Sequence, residues 1–140
     1  INNSEIHHLL FNNNSYESLQ LLGKALQNMK VLKPHKTSYI TLTQEELDQF
    51  HFKKGDTEGI VNYGLSIKNV ILTAIFIENK EEGIIKISLR STGDFDVNEL
   101  ARLHFNGGGH INAAGGKSFD SMKETILRFE EIVRNHPNLN

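Results

Sequence analysis

The sequence predicts an α/β fold, a single domain with a mixed β-sheet and flanking helices, preceded by an N-terminal linker helix. Three observations predict it. Residues 70–77 (VILTAIFI) are almost wholly apolar and short, the mark of a strand covered on both faces. Ile85, Ile87 and Leu89 then alternate with Lys86, Ser88 and Arg90, a half-buried strand that should pair antiparallel with its predecessor across a turn at 78–83. Amphipathic segments carrying helix-start residues stand on both sides of this pair.

Taken in order, residues 1–14 are polar, with Asn2-Asn3 and Asn12-Asn13-Asn14, and read as a linker or the tail of a preceding domain. Ser15 is placed to cap a helix whose apolar side is Tyr16, Leu19, Leu22, Leu26 and Met29, packing on the sheet or on a partner domain. Residues 38–43 (SYITLT) have the β-branched and aromatic content of a strand. Thr43 with Glu46 forms a capping box for a short helix through Phe50. Gly55-Asp56 breaks the chain, and Asp56 or Thr57 can cap a helical stretch toward Tyr63. Asp96 with Glu99 caps a helix through Phe105, which the glycines at 107–109 stop. Residues 113–116 lead into a short strand near 117–119, and Ser121 with Glu124 opens a last helix that turns Met122, Ile126, Phe129 and Val133 inward. There is no internal repeat.

Composition narrows the function. With 140 residues, 38% hydrophobic and 23% charged, the chain has the make-up of one globular domain rather than a disordered segment. No apolar run approaches the roughly 18 residues of a membrane span, no signal peptide is visible, and the first residue is not Met, so a fragment of a longer cytoplasmic protein is expected. The absence of cysteine excludes disulfides, thiolate metal sites and a Cys nucleophile. A net charge of −2 excludes the broad basic face that long nucleic acid requires, and points to a small anion held by a few placed groups.

Three stretches could hold that anion. In Gly107-Gly108-Gly109-His110-Ile111-Asn112-Ala113-Ala114-Gly115, glycines can bring backbone close to a ligand and aim N–H groups at it as a nest. A short helix begun at 110–114 would add its positive end, and His110 a further donor. The plainer alternative is that the glycines only end a helix and turn the chain. Arg90, at a strand end and followed by Ser91, offers a planar fork of donors suited to phosphate; the alternative is a solvated Arg, or one paired with Asp94 or Asp96. In the segment 56–63, Asn62 could read a base edge and Tyr63 stack on a base, or both could be ordinary helix residues. The histidines are scattered, His7 and His8 cannot share a helix face, and no metal-site motif appears, so no metal site is expected within the chain.

The GGGHINAAG stretch resembles the signature of the DHH-associated domain at the C-terminus of Asp-His-His phosphoesterases. The resemblance extends to Ser88-Leu89-Arg90-Ser91 and to DTEGIVNY (56–63), and covers nearly everything from Leu19 onward. With DTEGIVNY it is most similar to bacterial nano-RNases that also dephosphorylate 3′-phosphoadenosine 5′-phosphate. It implies residues 1–30 as a linker and helix joining an N-terminal catalytic domain, and residues 31–140 as the substrate-binding domain. It implies that Gly107, Gly108, Gly109 and His110 contact the phosphate nearest the metals, that Arg90, with Ser91, holds one further along, and that Glu58 and Asn62 shape the cleft. Partners would be short single-stranded RNA or nucleotide phosphates and the intramolecular catalytic domain, whose two manganese ions perform hydrolysis. The Asp-His-His sequence itself is absent, so no catalytic residue and no cofactor are assigned to this chain. Related domains leave open a cyclic-dinucleotide phosphodiesterase, an exopolyphosphatase or a tRNA-contacting module like that of alanyl-tRNA synthetases; homodimerisation is a further alternative.

Overall fold

Five strands rich in small or β-branched residues gather around one apolar strand, and the helices close over both faces. The computed structural model describes residues 15–53 and 59–140. Its elements in order are α1 (Tyr16–Asn28), β1 (Lys30–Leu32), a 3-10 turn (Lys33–His35), β2 (Thr37–Leu42), α2 (Gln44–Gln49), α3 (Ile60–Leu65), β3 (Leu72–Asn79), β4 (Ile84–Ser91), α4 (Val97–His104), β5 (Gly108–His110), β6 (Ala113–Ser118), α5 (Met122–Asn135) and a second 3-10 turn (Pro137–Leu139). The sheet runs β1-β2-β3-β4-β6-β5. Only β2 and β3 pair in parallel, so the sheet is mixed, as the sequence predicts.

The period-2 rule sorts the sheet into two faces. One carries Tyr39, Leu72, Ala74, Phe76, Ile85, Ile87, Leu89 and Ala114 under α4 and α5. Here Tyr39, Phe76 and Phe129 meet edge to face with centroids 5.1–6.1 Å apart, an arrangement their ring quadrupoles favour. The Tyr39 hydroxyl donates to Glu130 at 2.6 Å, tying sheet to α5. Burial, reinforced by that carboxylate, holds the phenol well above its usual pKa. The other face carries Ile40, Leu42 and Ile75 under Leu21 and Ala25 of α1, Leu47 of α2, and Ile60 and Val61 of α3.

The local signals for helix ends hold. The Thr43–Glu46 capping box is complete, Asp96 accepts from the Glu99 N–H at 3.0 Å, and Ser121 accepts from the Glu124 N–H at 3.1 Å. Each cap satisfies one or two of the donors a helix N-terminus leaves bare. Ser15 likewise caps α1 through the Ser18 N–H. The apolar stripe expected on α1 is not its buried face, however. Leu21 and Ala25 are fully buried and Leu22 and Met29 partly, whereas Tyr16, Leu19 and Leu26 are 71%, 50% and 40% exposed. Polar ties set that rotation: the Asn28 amide donates to Thr41 O and to Glu46 Oε2, both at 2.9 Å, and Lys24 pairs with Glu46.

Two further expectations need correction. Residues 110–114 do not start a helix: Gly108–His110 and Ala113–Ser118 form a hairpin, β5–β6. The strand expected near 117–119 begins at Ala113 and ends at Ser118. Helix α3 has Gly59 at its N-cap with no side-chain cap. Asp56, Thr57 and Glu58, like residues 1–14 with His7 and His8, lie outside the described residues.

Candidate functional site

The register of the three strands at one end of the sheet assembles the expected residues. Arg90 of β4 stands opposite Ala113 of β6, and Ala113 stands opposite His110 of β5. Arg90 and His110 therefore flank one small residue in a single row, with neighbouring strands roughly 4.8 Å apart. Thr73 of β3 continues the row on the other side of Arg90. Parity puts Lys86, Ser88 and Arg90 on the face opposite Ile85, Ile87 and Leu89, together with Ala113, Gly115 and Lys117 of β6. Helices α1, α2 and α3 cover this face over β2 and β3, and α3 reaches β4. Beyond that, Lys86, Lys117 and His110 are exposed and Arg90 half-buried. The result is an open floor of small residues edged by cations, with no acidic side chain on its β4 or β6 positions. Arg90 donates from Nη1 to the adjacent Leu89 carbonyl at 2.9 Å. Among the described residues it forms no ion pair with Asp94 or Asp96.

The glycines serve close approach. A Cβ on Gly107 would overlap the Gly115 carbonyl, and one on Gly116 the Phe105 carbonyl. On Gly109 it would come within 2.6 Å of Ala113 O and 2.8 Å of Ala114 Cα. Two of the three N–H groups expected to form an anion nest have internal acceptors: Gly107 donates to Ala101 O at 3.2 Å and Gly109 to Asn98 Oδ1 at 2.8 Å.

Ser91 stands apart from this face. It is 6% exposed, its hydroxyl donates to Phe95 O at 2.6 Å, and it accepts from the Asn112 amide at 2.9 Å. Asn112 also donates to Gly93 O, and the Val97 N–H donates to Ile111 O. These bonds stitch the hairpin tip to the loop after β4, which fixes Arg90 relative to His110. Asn62 and Tyr63 are exposed on α3, whose Gly64 packs against Ser38 and Thr73, so that helix rims the row. Glu58 lies outside the described residues.

Sequence reasoning missed Asn98, Arg102 and the structural use of Asn112. Asn98 and Arg102 are four apart on α4 and lie against Gly108, where a Cβ would stand 3.1 Å from Asn98 Oδ1 and 3.4 Å from Arg102 Nε. Their i,i+4 spacing before the glycines was the available signal. At the C-terminal end of α4, His104 is held below the usual imidazole pKa by burial first, then by the Arg128 and His136 charges. Among the described residues no three His, Asp or Glu side chains converge as a metal ligand set, and no helix is long and apolar enough to cross a membrane. Two open concavities, about 420 and 590 Å³, lie away from this face, beside Pro34 and Arg134 and beside Asn28 and Thr41 respectively. Neither concavity includes the row, which lies on the exposed side of the sheet and takes a second wall to enclose a ligand.

Residues 36–135 match the profile of the DHHA1 domain. Among solved structures, an exopolyphosphatase-related protein from Bacteroides fragilis is 45% identical and superposes with a TM-score of 0.88, over 96% of this chain and 39% of that one. A probable bifunctional oligoribonuclease and PAP phosphatase NrnA from Streptococcus mutans is 32% identical over 84% of this chain and 36% of its own length. A 3′,5′-cyclic-nucleotide phosphodiesterase from Helicobacter pylori is 34% identical over 57% of this chain and 26% of its own. The chain thus spans well under half the length of each of these relatives.

Proposed function

Because the chain belongs to the DHHA1 domain family, we propose that it is the substrate-binding half of a phosphoesterase and grips the phosphates of short RNA or of nucleotides such as 3′-phosphoadenosine 5′-phosphate. One observation carries this reading: the Arg90–Ala113–His110 row on an open sheet face that holds no acid on its β4 or β6 positions. Arg90 presents a fork matched to two phosphate oxygens, and such charge-assisted bonds are shorter and stronger than neutral ones. His110 donates from the other side of a residue small enough to let the anion down between them. Asn62 and Tyr63 stand on the rim where a base or ribose would lie. Ser91 acts through position, locking the strand end that carries Arg90.

Among the described residues no ligand set for the two manganese ions that the resemblance implies comes together; in the proposed reading this chain's own part is to bind and orient. Hydrolysis falls to the catalytic domain that the longer relatives leave room for, and that domain supplies the second wall. The mild overall acidity suits a grip on two to five nucleotides, which needs a local positive spot only.

A titration of labelled chain with a 5′-phosphorylated dinucleotide, followed by backbone amide NMR, tests the reading. Shifts should concentrate at Gly107 to His110 and around Arg90, and Arg90→Ala and His110→Ala should each weaken binding without unfolding the domain. If both variants bind like the parent, the row is not the grip. The Helicobacter relative favours one second reading, a cyclic-nucleotide substrate. Competition between cyclic and linear dinucleotides at the same amides separates the two.

A further inference from the structure

The open face extends past the Arg90 row, and its far end holds an arrangement that packing alone does not account for. Lys86 and Lys117 stand directly opposite each other on β4 and β6, side chains on the same open face. Like charges in directly opposed positions destabilise a sheet. Both are exposed, and the compensation available is slight: Lys86 reaches Glu82 at 3.8 Å in a solvent-exposed pair, and the Lys117 ammonium lies 5.6 Å from the ring of Phe119. Exposed pairs of that kind contribute little. Phe119 itself is 66% exposed. Between this pair and the Arg90 row lie only Ser88 and Gly115, so no large side chain interrupts the floor.

We propose that Lys86 and Lys117 form a distal anion subsite that takes a second phosphate of a linear phosphate-bearing chain whose first phosphate lies between Arg90 and His110. This rests on the phosphate grip proposed above. Four residues of strand separate Lys86 from Arg90, roughly 13 Å, a span of more than one nucleotide. A mononucleotide cannot bridge both subsites; a nucleotide chain carrying three or more phosphates can, and inorganic polyphosphate, whose phosphorus atoms are closer together, needs a longer run. The shared chemistry is a run of phosphates, which short RNA and inorganic polyphosphate both offer. Phe119, beside Lys117, gives only the former a surface on which a base can stack.

The test is calorimetric titration of the 140-residue chain and of its Lys86→Gln/Lys117→Gln variant with adenosine 5′-monophosphate, a 5′-phosphorylated tetra-adenylate, and linear inorganic polyphosphate. For the parent chain the tetramer should bind about tenfold more tightly than the monophosphate. The double variant should lose that gain and keep the affinity for the monophosphate. Loss confined to the nucleic acid, with Phe119→Ala weakening it further, assigns the subsite to RNA; equal loss for polyphosphate, with Phe119→Ala silent, assigns it to phosphate alone. A tetramer no tighter than the monophosphate, or a double variant that keeps the length dependence, overturns the proposal and leaves the Arg90 grip standing. If the parent binds none of the three, the grip fails and the distal subsite with it. Because both lysines are exposed and mutually repelling, the double variant should melt no lower than the parent, which separates lost binding from lost folding.

Discussion

Gly64 is the penultimate residue of α3, and helix propensity alone says alanine there should stabilise by up to about 1 kcal/mol. The packing argues the reverse. A Cβ there would overlap Thr73 Oγ1 and stand 2.8 Å from Thr73 Cβ, against side chains of two residues that are fully buried. The Ser38 and Thr73 hydroxyls lie 2.7 Å apart and Ser38 donates to Gly64 O, so the intruding methyl must break this chain of bonds or lift the helix. Overpacking costs about 1–3 kcal/mol and stranding a buried hydroxyl about 1–3 more. Net of the propensity gain, Gly64→Ala should destabilise by about 3 kcal/mol, lowering the melting temperature by roughly 10 °C in a domain this size. Urea unfolding of Gly64→Ala alone, and in a Ser38→Ala/Thr73→Ala background, measures it. The penalty should shrink in the background that removes the colliding hydroxyls. A neutral or stabilising Gly64→Ala would refute the reasoning. Thr73 stands opposite Arg90, so the same substitution should also disturb the amides of the Arg90 row.

The hairpin glycines should divide sharply. Gly109→Ala, meeting backbone at 2.6 Å, should destabilise the fold, whereas Gly115→Ala, meeting only Ile87 O at 3.4 Å, should leave the melting temperature nearly unchanged while weakening phosphate binding by filling the floor. For His104, a proton NMR titration should give a midpoint below that of an unstructured histidine, because burial and the Arg128 and His136 charges disfavour its cation. A histidine with a lowered folded pKa adds stability above its unfolded pKa and loses it as pH falls through the folded value. Glu46 follows the same sign at lower pH. Burial pushes its carboxyl up, but the Thr43 N–H, the Asn28 amide, the Thr43 hydroxyl and Lys24 outweigh it and hold the pKa below the usual range. Parent stability should therefore fall more steeply than that of Glu46→Gln as pH drops through the carboxylate range, measured by thermal melts.

What the sequence made legible was whatever depends on near neighbours. The Thr43–Glu46 box, the Asp96 and Ser121 caps and the alternation of β4 are set by residues within a turn of one another, and all appear where expected. The rotation of α1 was not legible, because Leu21 and Ala25 form one apolar edge and Leu19, Leu22 and Leu26 another. Distant partners on β2 and α2, Thr41 and Glu46, choose between them. Strand β5 was hidden for a different reason. Glycine has poor strand propensity, and three in succession read as a breaker. What requires glycine there is close approach: the β6 backbone lies against Gly107 and Gly109, and Phe105 against Gly116. At the site, Arg90 and His110 could be named from motif and parity, but their shared row across Ala113 needed the register. Ser91, adjacent in sequence, points the other way for the reason that makes a strand a strand.

The crowding around Gly107, Gly109 and Gly116 also limits how such a surface can diversify. At those three positions main chain lies against main chain, so any side chain would force the strands apart and selection has nothing there to vary. On the proposed reading, changes in ligand preference are written at the periphery, in Tyr63 and Asn62 on one side and Lys86, Lys117 and Phe119 on the other. On that reading the scaffold keeps the phosphate grip constant while the rim drifts from one base, ring or chain length to another.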